Sequence, residues 1–275
     1  PTSPELISLI VAFAALVFVS AEASLICLFF ALLAINSKTG KLTLNFQAQD
    51  GDTTSQKFAS ILPSSLVALP IIAIVVAFGF FSSKIIMAEV AYKNGLDAII
   101  KNDGSGAYTL LAKAITLNPQ VDRYHATYAE INFALANTLA NKPEGQKVTE
   151  EERTTITQLI QQAINEGKST VALNPQRASN WSILGGLYKS IMAFSQGSDQ
   201  FAIQSFGQAV NLDPLDVNLR ITLGGIYYAL GNYDDAIDTF KLAVLTKPDF
   251  ANARYNLAIA YREKGDIERA IAEMT

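Results

Sequence analysis

Residues 181–214 read WSILGGLYKSIMAFSQGSDQFAIQSFGQAVNLDP, and residues 223–248 read LGGIYYALGNYDDAIDTFKLAVLTKP. Each holds Leu-Gly-Gly followed by tyrosine (Tyr188, Tyr227), then a small–aromatic–small series: Ala202, Phe206 and Ala209 in one, Ala236, Phe240 and Ala243 in the other. Apolar residues three and four apart mark helices, and a proline closes each stretch because it lacks an amide and crowds the residue before it out of the helical region. Such prolines recur at Pro119, Pro175, Pro214 and Pro248, spaced 56, 39 and 34 residues apart. A helical pattern repeating every 34 residues or so means stacked helix pairs, none of which can bury its apolar face alone.

The order Trp181-x2-Leu184-Gly185-x2-Tyr188, Ala202, Phe206, Ala209, Pro214, with five extra residues within 192–200, resembles the tetratricopeptide repeat family. Leu223, Gly224, Tyr227, Ala236, Phe240, Ala243 and Pro248 follow the same order without insertion, and Leu257, Ala258, Tyr261 and Ala270 begin a third copy. The regular copies cover 178–216, 217–250 and 251–275. Two degenerate copies fill 84–177: one with Ala107, Leu111, Ala114 and Pro119, the other with Ala163 and Pro175 but Gly167 where a large residue is expected. The 22-residue excess in that second copy predicts longer helices and a polar loop over 141–151. Close helix approach at Gly185 and Gly224, turns at Gly231-Asn232 and Gly265-Asp266, and a capping box from Thr149 to Glu152 complete the local expectations. Trp181 is expected in the core, and His125 on the surface or in a groove.

Ahead of the repeats the composition changes. Residues 1–83 hold three lysines and four acids, leaving 18 basic and 21 acidic side chains for the rest. Residues 6–35 are apolar except for Ser8, Ser20, Glu22 and Ser24, and 61–81 carry no charge. As helices these runs would be about 45 and 31 Å long, enough for a bilayer core of about 30 Å. Two transmembrane helices are therefore expected, at about 6–35 and 61–82, joined by a polar loop 36–60 within a membrane region 1–83. No basic flank precedes the first run, so it does not read as a signal peptide. Lys38 and Lys41 follow the first run directly, which favours a cytoplasmic loop and an extracytoplasmic repeat region in an inner (plasma) membrane. Glu22 is either an intramembrane functional group or, in a shorter span, a residue near the headgroups. The start at Pro1 leads us to expect a piece of a longer protein. The whole is expected to be all-α: two transmembrane helices, then a right-handed solenoid of about five helix pairs.

The chemistry of the chain is sparse. One cysteine (Cys27) excludes an internal disulfide, and one histidine (His125) excludes the paired-histidine zinc motifs. A net charge of −4 without a Lys/Arg run argues against nucleic acid. No phosphate-binding glycine loop, nucleophile elbow or metal spacing occurs, and no cofactor is expected. Asp234-Asp235 and Glu150-Glu151-Glu152 read as acids at helix N-termini, where they complement the dipole.

What the tetratricopeptide resemblance implies is binding. Its first helices line a concave face for a protein or peptide, which by repeat position puts Ser182, Lys189, Asn218, Tyr228, Asn252, Tyr255 and Arg262 in the groove. Polar, merely solvated positions are the alternative for each. The order of spans and repeats also resembles the C-terminal part of bacterial O-antigen ligase/polymerase-like membrane proteins. That likeness implies an accessory role beside lipid-linked glycan machinery, with the catalytic residues upstream of Pro1.

Overall fold

Leu-Gly-Gly on a first helix and Ala-x3-Phe on a second fix how the two meet. An added Cβ on Gly224 would lie 2.6 Å from the Phe240 ring, and one on Gly185 would lie 2.8 Å from the Phe206 ring. Each aromatic ring thus sits on bare backbone of the partner helix, and the flanking alanines (Ala202, Ala209, Ala236, Ala243) are fully buried beside it. The structure, a computed structural model, describes residues 54–142 and 146–274, with side chains from Val76 onward and that of Ala73. Among the described residues there are ten helices: α1 Thr54–Ile100, α2 Gly104–Leu117, α3 Asp122–Ala140, α4 Glu150–Leu173, α5 Ala178–Ser190, α6 Ser198–Leu212, α7 Val217–Ala229, α8 Tyr233–Thr246, α9 Ala251–Glu263 and α10 Ile267–Met274.

From Val76 onward these form one unit. Successive helices pack as antiparallel pairs (α3/α4, α5/α6, α7/α8, α9/α10), and each second helix touches the first helix of the next pair. The C-terminal part of α1 serves as first helix to α2. Gly95 there faces Leu111, its added Cβ 3.0 Å from that side chain, and Ala88 and Ala91 pack with Ala114 and Tyr124. Five helix pairs result, their buried residues forming several clusters, the largest of which links three pairs. Ile164 of α4, Leu184 and Tyr188 of α5, Phe206 of α6 and Leu219, Leu223 and Ile226 of α7 belong to one continuous cluster.

The turns follow the backbone requirements of the sequence. Gly231 and Gly265 close α7 and α9 with positive φ of 76° and 87°, a region a side chain would strain. Thr149 caps α4 through the Glu152 amide while the Glu152 carboxylate accepts the Thr149 amide, the reciprocal box expected there. Glu152 also pairs with Lys142 at 2.6 Å, bridging the loop between α3 and α4. The excess length of the second pair is shared between its helices, 19 and 24 residues against 13 to 15 for α5 to α8, and the connection from Ala140 to Glu150. Gly167, the apparent mismatch, lets Leu184 and Leu187 of α5 approach: an added Cβ would stand 3.0 Å from Leu187.

The expected first span 6–35 and Glu22 lie outside the described residues. The second, 61–82, lies within α1, mostly on residues whose side chains are outside the described set. The helix itself begins at Thr54, within the stretch read as a loop. No helix of the described residues is long and apolar enough to cross a membrane.

The two glycines of each Leu-Gly-Gly have opposite environments, because nothing lies within 4 Å of an added Cβ on Gly186 or Gly225. Gly224→Ala is expected to destabilise the chain by about 1–3 kcal/mol through overpacking. Gly225→Ala is expected to stabilise it by up to about 1 kcal/mol through helix propensity. Urea unfolding of the two variants against wild type gives both signs, and a destabilised Gly225→Ala would contradict the packing described.

Candidate functional site

Residues three, four and seven apart share one face of a helix. On α7 this groups Asn218, Ile221, Gly225 and Tyr228, and on α9 Asn252, Tyr255, Ile259 and Arg262. On α5 it groups Ser182, Gly186 and Lys189. The structure brings Tyr228, Tyr255 and Arg262 together. Burial, then the negative charge of Glu263, raises the Tyr228 hydroxyl above its ordinary range; Tyr233 and Tyr255 add to this, and Arg262 opposes it. Tyr228 stacks edge-on to Tyr233 with centroids 5.5 Å apart. Tyr255 is 57% exposed, and the Arg262 guanidinium is held by its neighbour Glu263 at 2.7 Å. Asn218 and Asn252 are exposed at the other ends of the same helices, about 15 Å along the axis. Ser182 is half-buried and Lys189 exposed, one repeat earlier. Between these groups Gly186 and Gly225 leave the backbone bare and the space above it open.

A second cluster on the first helices was not anticipated. Arg123 and Tyr124 of α3 both donate to Glu89 Oε2 of α1, each at 2.6 Å. The Arg123 guanidinium stands 5.4 Å from the Tyr92 ring and 5.6 Å from the Tyr124 ring, and the Tyr92 and Thr127 hydroxyls bond at 3.1 Å. Burial, with the Glu89 carboxylate beside it, pushes the Tyr124 hydroxyl up to about 12. The signal was present in the sequence: Glu89 and Arg123 are 34 residues apart, as are Asn218 and Asn252.

Below this lies a buried polar network. Asn180 of α5, 2% exposed, donates to Asp122 Oδ2 and to the carbonyls of Thr170 and Asn174, at 3.0 to 3.1 Å. Arg177 pairs with the same Asp122 oxygen at 3.1 Å. One expectation is corrected here. His125 is buried between α3 and α4, with Nδ1 2.5 Å from Glu166 Oε2 and Nε2 2.9 Å from the Pro119 carbonyl. Helix packing turned it inward because it precedes Tyr128 and Ala129 on the buried face of α3. Trp181 packs against the core cluster as expected, half-buried, and its indole N–H donates to the Pro175 carbonyl at 2.8 Å.

The buried and exposed networks differ in energetic weight. Asn180→Ala leaves acceptors unsatisfied and is expected to cost about 1–3 kcal/mol in urea unfolding. Arg123→Ala breaks a half-exposed pair and is expected to stay within about 1 kcal/mol of wild type. Equal losses would contradict this division.

Residues 224–265 match the family model described as TPR repeat. The chain is 33% identical over 78 residues to an Arabidopsis thaliana protein named as a UDP-N-acetylglucosamine–peptide N-acetylglucosaminyltransferase, a match spanning 28% of this chain and 8% of that one. It is 28% identical over 80 residues to a tetratricopeptide repeat and J domain-containing co-chaperone of Cryptococcus neoformans, covering 29% of this chain and 15% of the relative. The chain thus spans a small fraction of both relatives. Among solved structures, a crystal structure of MamA superposes with a TM-score of 0.54 at 21% identity, covering 68% of this chain and 88% of MamA. Residues 224–265 thus match a TPR repeat model, and the helix pairs share the fold of MamA.

Proposed function

We propose that the chain is a membrane-anchored tetratricopeptide scaffold that holds a protein or peptide segment against the face built by its first helices. The observation that carries the reading is the open floor at Gly186 and Gly225. A glycine inside a helix costs roughly 1 kcal/mol relative to alanine, and packing requires neither of these two. They allow a partner's main chain to lie directly on α5 and α7, with Tyr228, Tyr255 and Arg262 at one edge. Lys189, Ser182, Asn218 and Asn252 supply polar groups along the track. Glu263 tempers the positive charge of Arg262, so the edge favours hydrogen-bonding and aromatic contacts over a strongly acidic ligand.

Anchoring is supported by the start of the described side chains. Val76, Phe78, Phe80, Phe81, Ile85, Ile86 and Met87 are all exposed on α1, and at 100° per residue they point in every direction around the helix. A helix that is apolar all round suits hydrocarbon rather than one protein face. The first four belong to the uncharged run 61–81, and Lys84 just after it bends its ammonium over the Phe80 ring at 4.6 Å, as expected near a headgroup layer. The lysines after the first run favour an extracytoplasmic repeat region in an inner membrane.

The test places a photo-crosslinking amino acid at Tyr255 in the full chain in its native membrane. A discrete adduct is expected, reduced about tenfold by Gly225→Leu, which fills the floor while leaving the core untouched. An adduct unchanged by Gly225→Leu would contradict the floor as the seat of the partner. Alkaline extraction of the same membranes is expected to leave the chain in the pellet, and its release would contradict anchoring.

A further inference from the structure

His125 joins three segments. Its Nδ1 faces a carboxylate oxygen of Glu166 on α4 at 2.5 Å, and its Nε2 faces the Pro119 carbonyl in the α2–α3 turn at 2.9 Å. Both partners are oxygen acceptors unless Glu166 itself carries a proton. A neutral imidazole has one N–H and one lone pair, so it satisfies only one of two acceptors. The imidazolium satisfies both, and charge assistance accounts for the short contact to Glu166.

We propose that His125 is held as an imidazolium and acts as a pH-operated clasp between the α2–α3 turn and α4. The groups around it agree. Asp122, one turn earlier on α3, adds a second negative charge, while Arg177 from the α4–α5 connection sits on Asp122 at 3.1 Å and moderates it. Asn180 of α5 holds Asp122 from the other side without charge. Burial pulls the histidine down, but the bonds to Glu166 and to the Pro119 carbonyl, with the charges of Glu166 and Asp122, outweigh it and leave the group raised.

The sign follows. A raised histidine contributes fully below its unfolded value of about 6.5 and loses that contribution as pH rises through the folded value. When the proton leaves, the carboxylate keeps Nδ1–H, and the Nε2 lone pair is set against the Pro119 oxygen. The contact that weakens is therefore the one to the α2–α3 turn. Tyr124, just past that turn, packs with Ala88 and Ala91 of α1, so the clasp governs how firmly the first helix pair is held to the second. Opening it loosens the join between α1 and the rest of the repeats while leaving α5 to α10 as they are.

His125 is the chain's one histidine, so a histidine-labelled full-length sample in detergent gives a single imidazole to follow by nitrogen-detected NMR. Both ring nitrogens are expected to be protonated at pH 6, with a titration midpoint above 6.5. The amides of Gln120 and Val121 should move with the same midpoint, and Glu166→Gln should lower it by about one unit or more. A ring carrying one proton at pH 6, the state in which Glu166 holds the proton instead, would overturn the proposal. So would a midpoint unmoved by Glu166→Gln, or turn amides that do not titrate with the ring.

Discussion

The structure depends on an aromatic ring resting on bare helix backbone. Phe206 on Gly185 and Phe240 on Gly224 bring two helices closer than any pair of side chains would allow, and the buried alanines beside them keep that separation along the pair. Leu111 on Gly95 is the same device with an aliphatic side chain in place of the ring, in a pair whose sequence matches the repeat pattern only in part. Dispersion energy is collected atom by atom at short range, so a contact this close has little tolerance for change.

The regular half was legible because its chemistry is local. Leu-Gly-Gly, Ala-x3-Phe and the closing proline each act within one helix pair, and the Gly231 and Gly265 turns need only their own backbone. The Thr149–Glu152 box was readable for the same reason. The degenerate half was harder, because its contacts are spread across pairs. Gly95 and Leu111 are 16 residues apart, as are Gly224 and Phe240, and Gly185 and Phe206 are 21 apart with the five-residue insertion between them. That interval marks α1 as the first helix of a pair. Gly167 looked like a mismatch within its own pair, although it admits Leu184 and Leu187 from the next pair.

Polar residues were the least legible. Nothing in the order Asp122-Arg123-Tyr124-His125 tells which side chain turns inward, since all four are polar or amphipathic. The structure sends Tyr124 and His125 inside and leaves Arg123 half-exposed over Tyr92. Neighbouring helices decide the matter by offering Glu89 and Glu166 as acceptors. The first-helix residues nominated by repeat position divide in a similar way. Tyr228, Tyr255 and Arg262 meet because α7 and α9 run side by side, whereas the importance of Gly186 and Gly225 came from the empty space over them.

The most direct test of a partner-binding face on the first helices is amide hydrogen exchange on the full chain, in native membrane vesicles and again after detergent purification removes bound material. The account predicts that purification raises exchange in α5, α7 and α9, centred on Gly186, Gly225 and Ile259, and leaves α6 and α8 unchanged. A change confined to α6 and α8 would place the partner on the opposite side of the helix pairs and contradict the account.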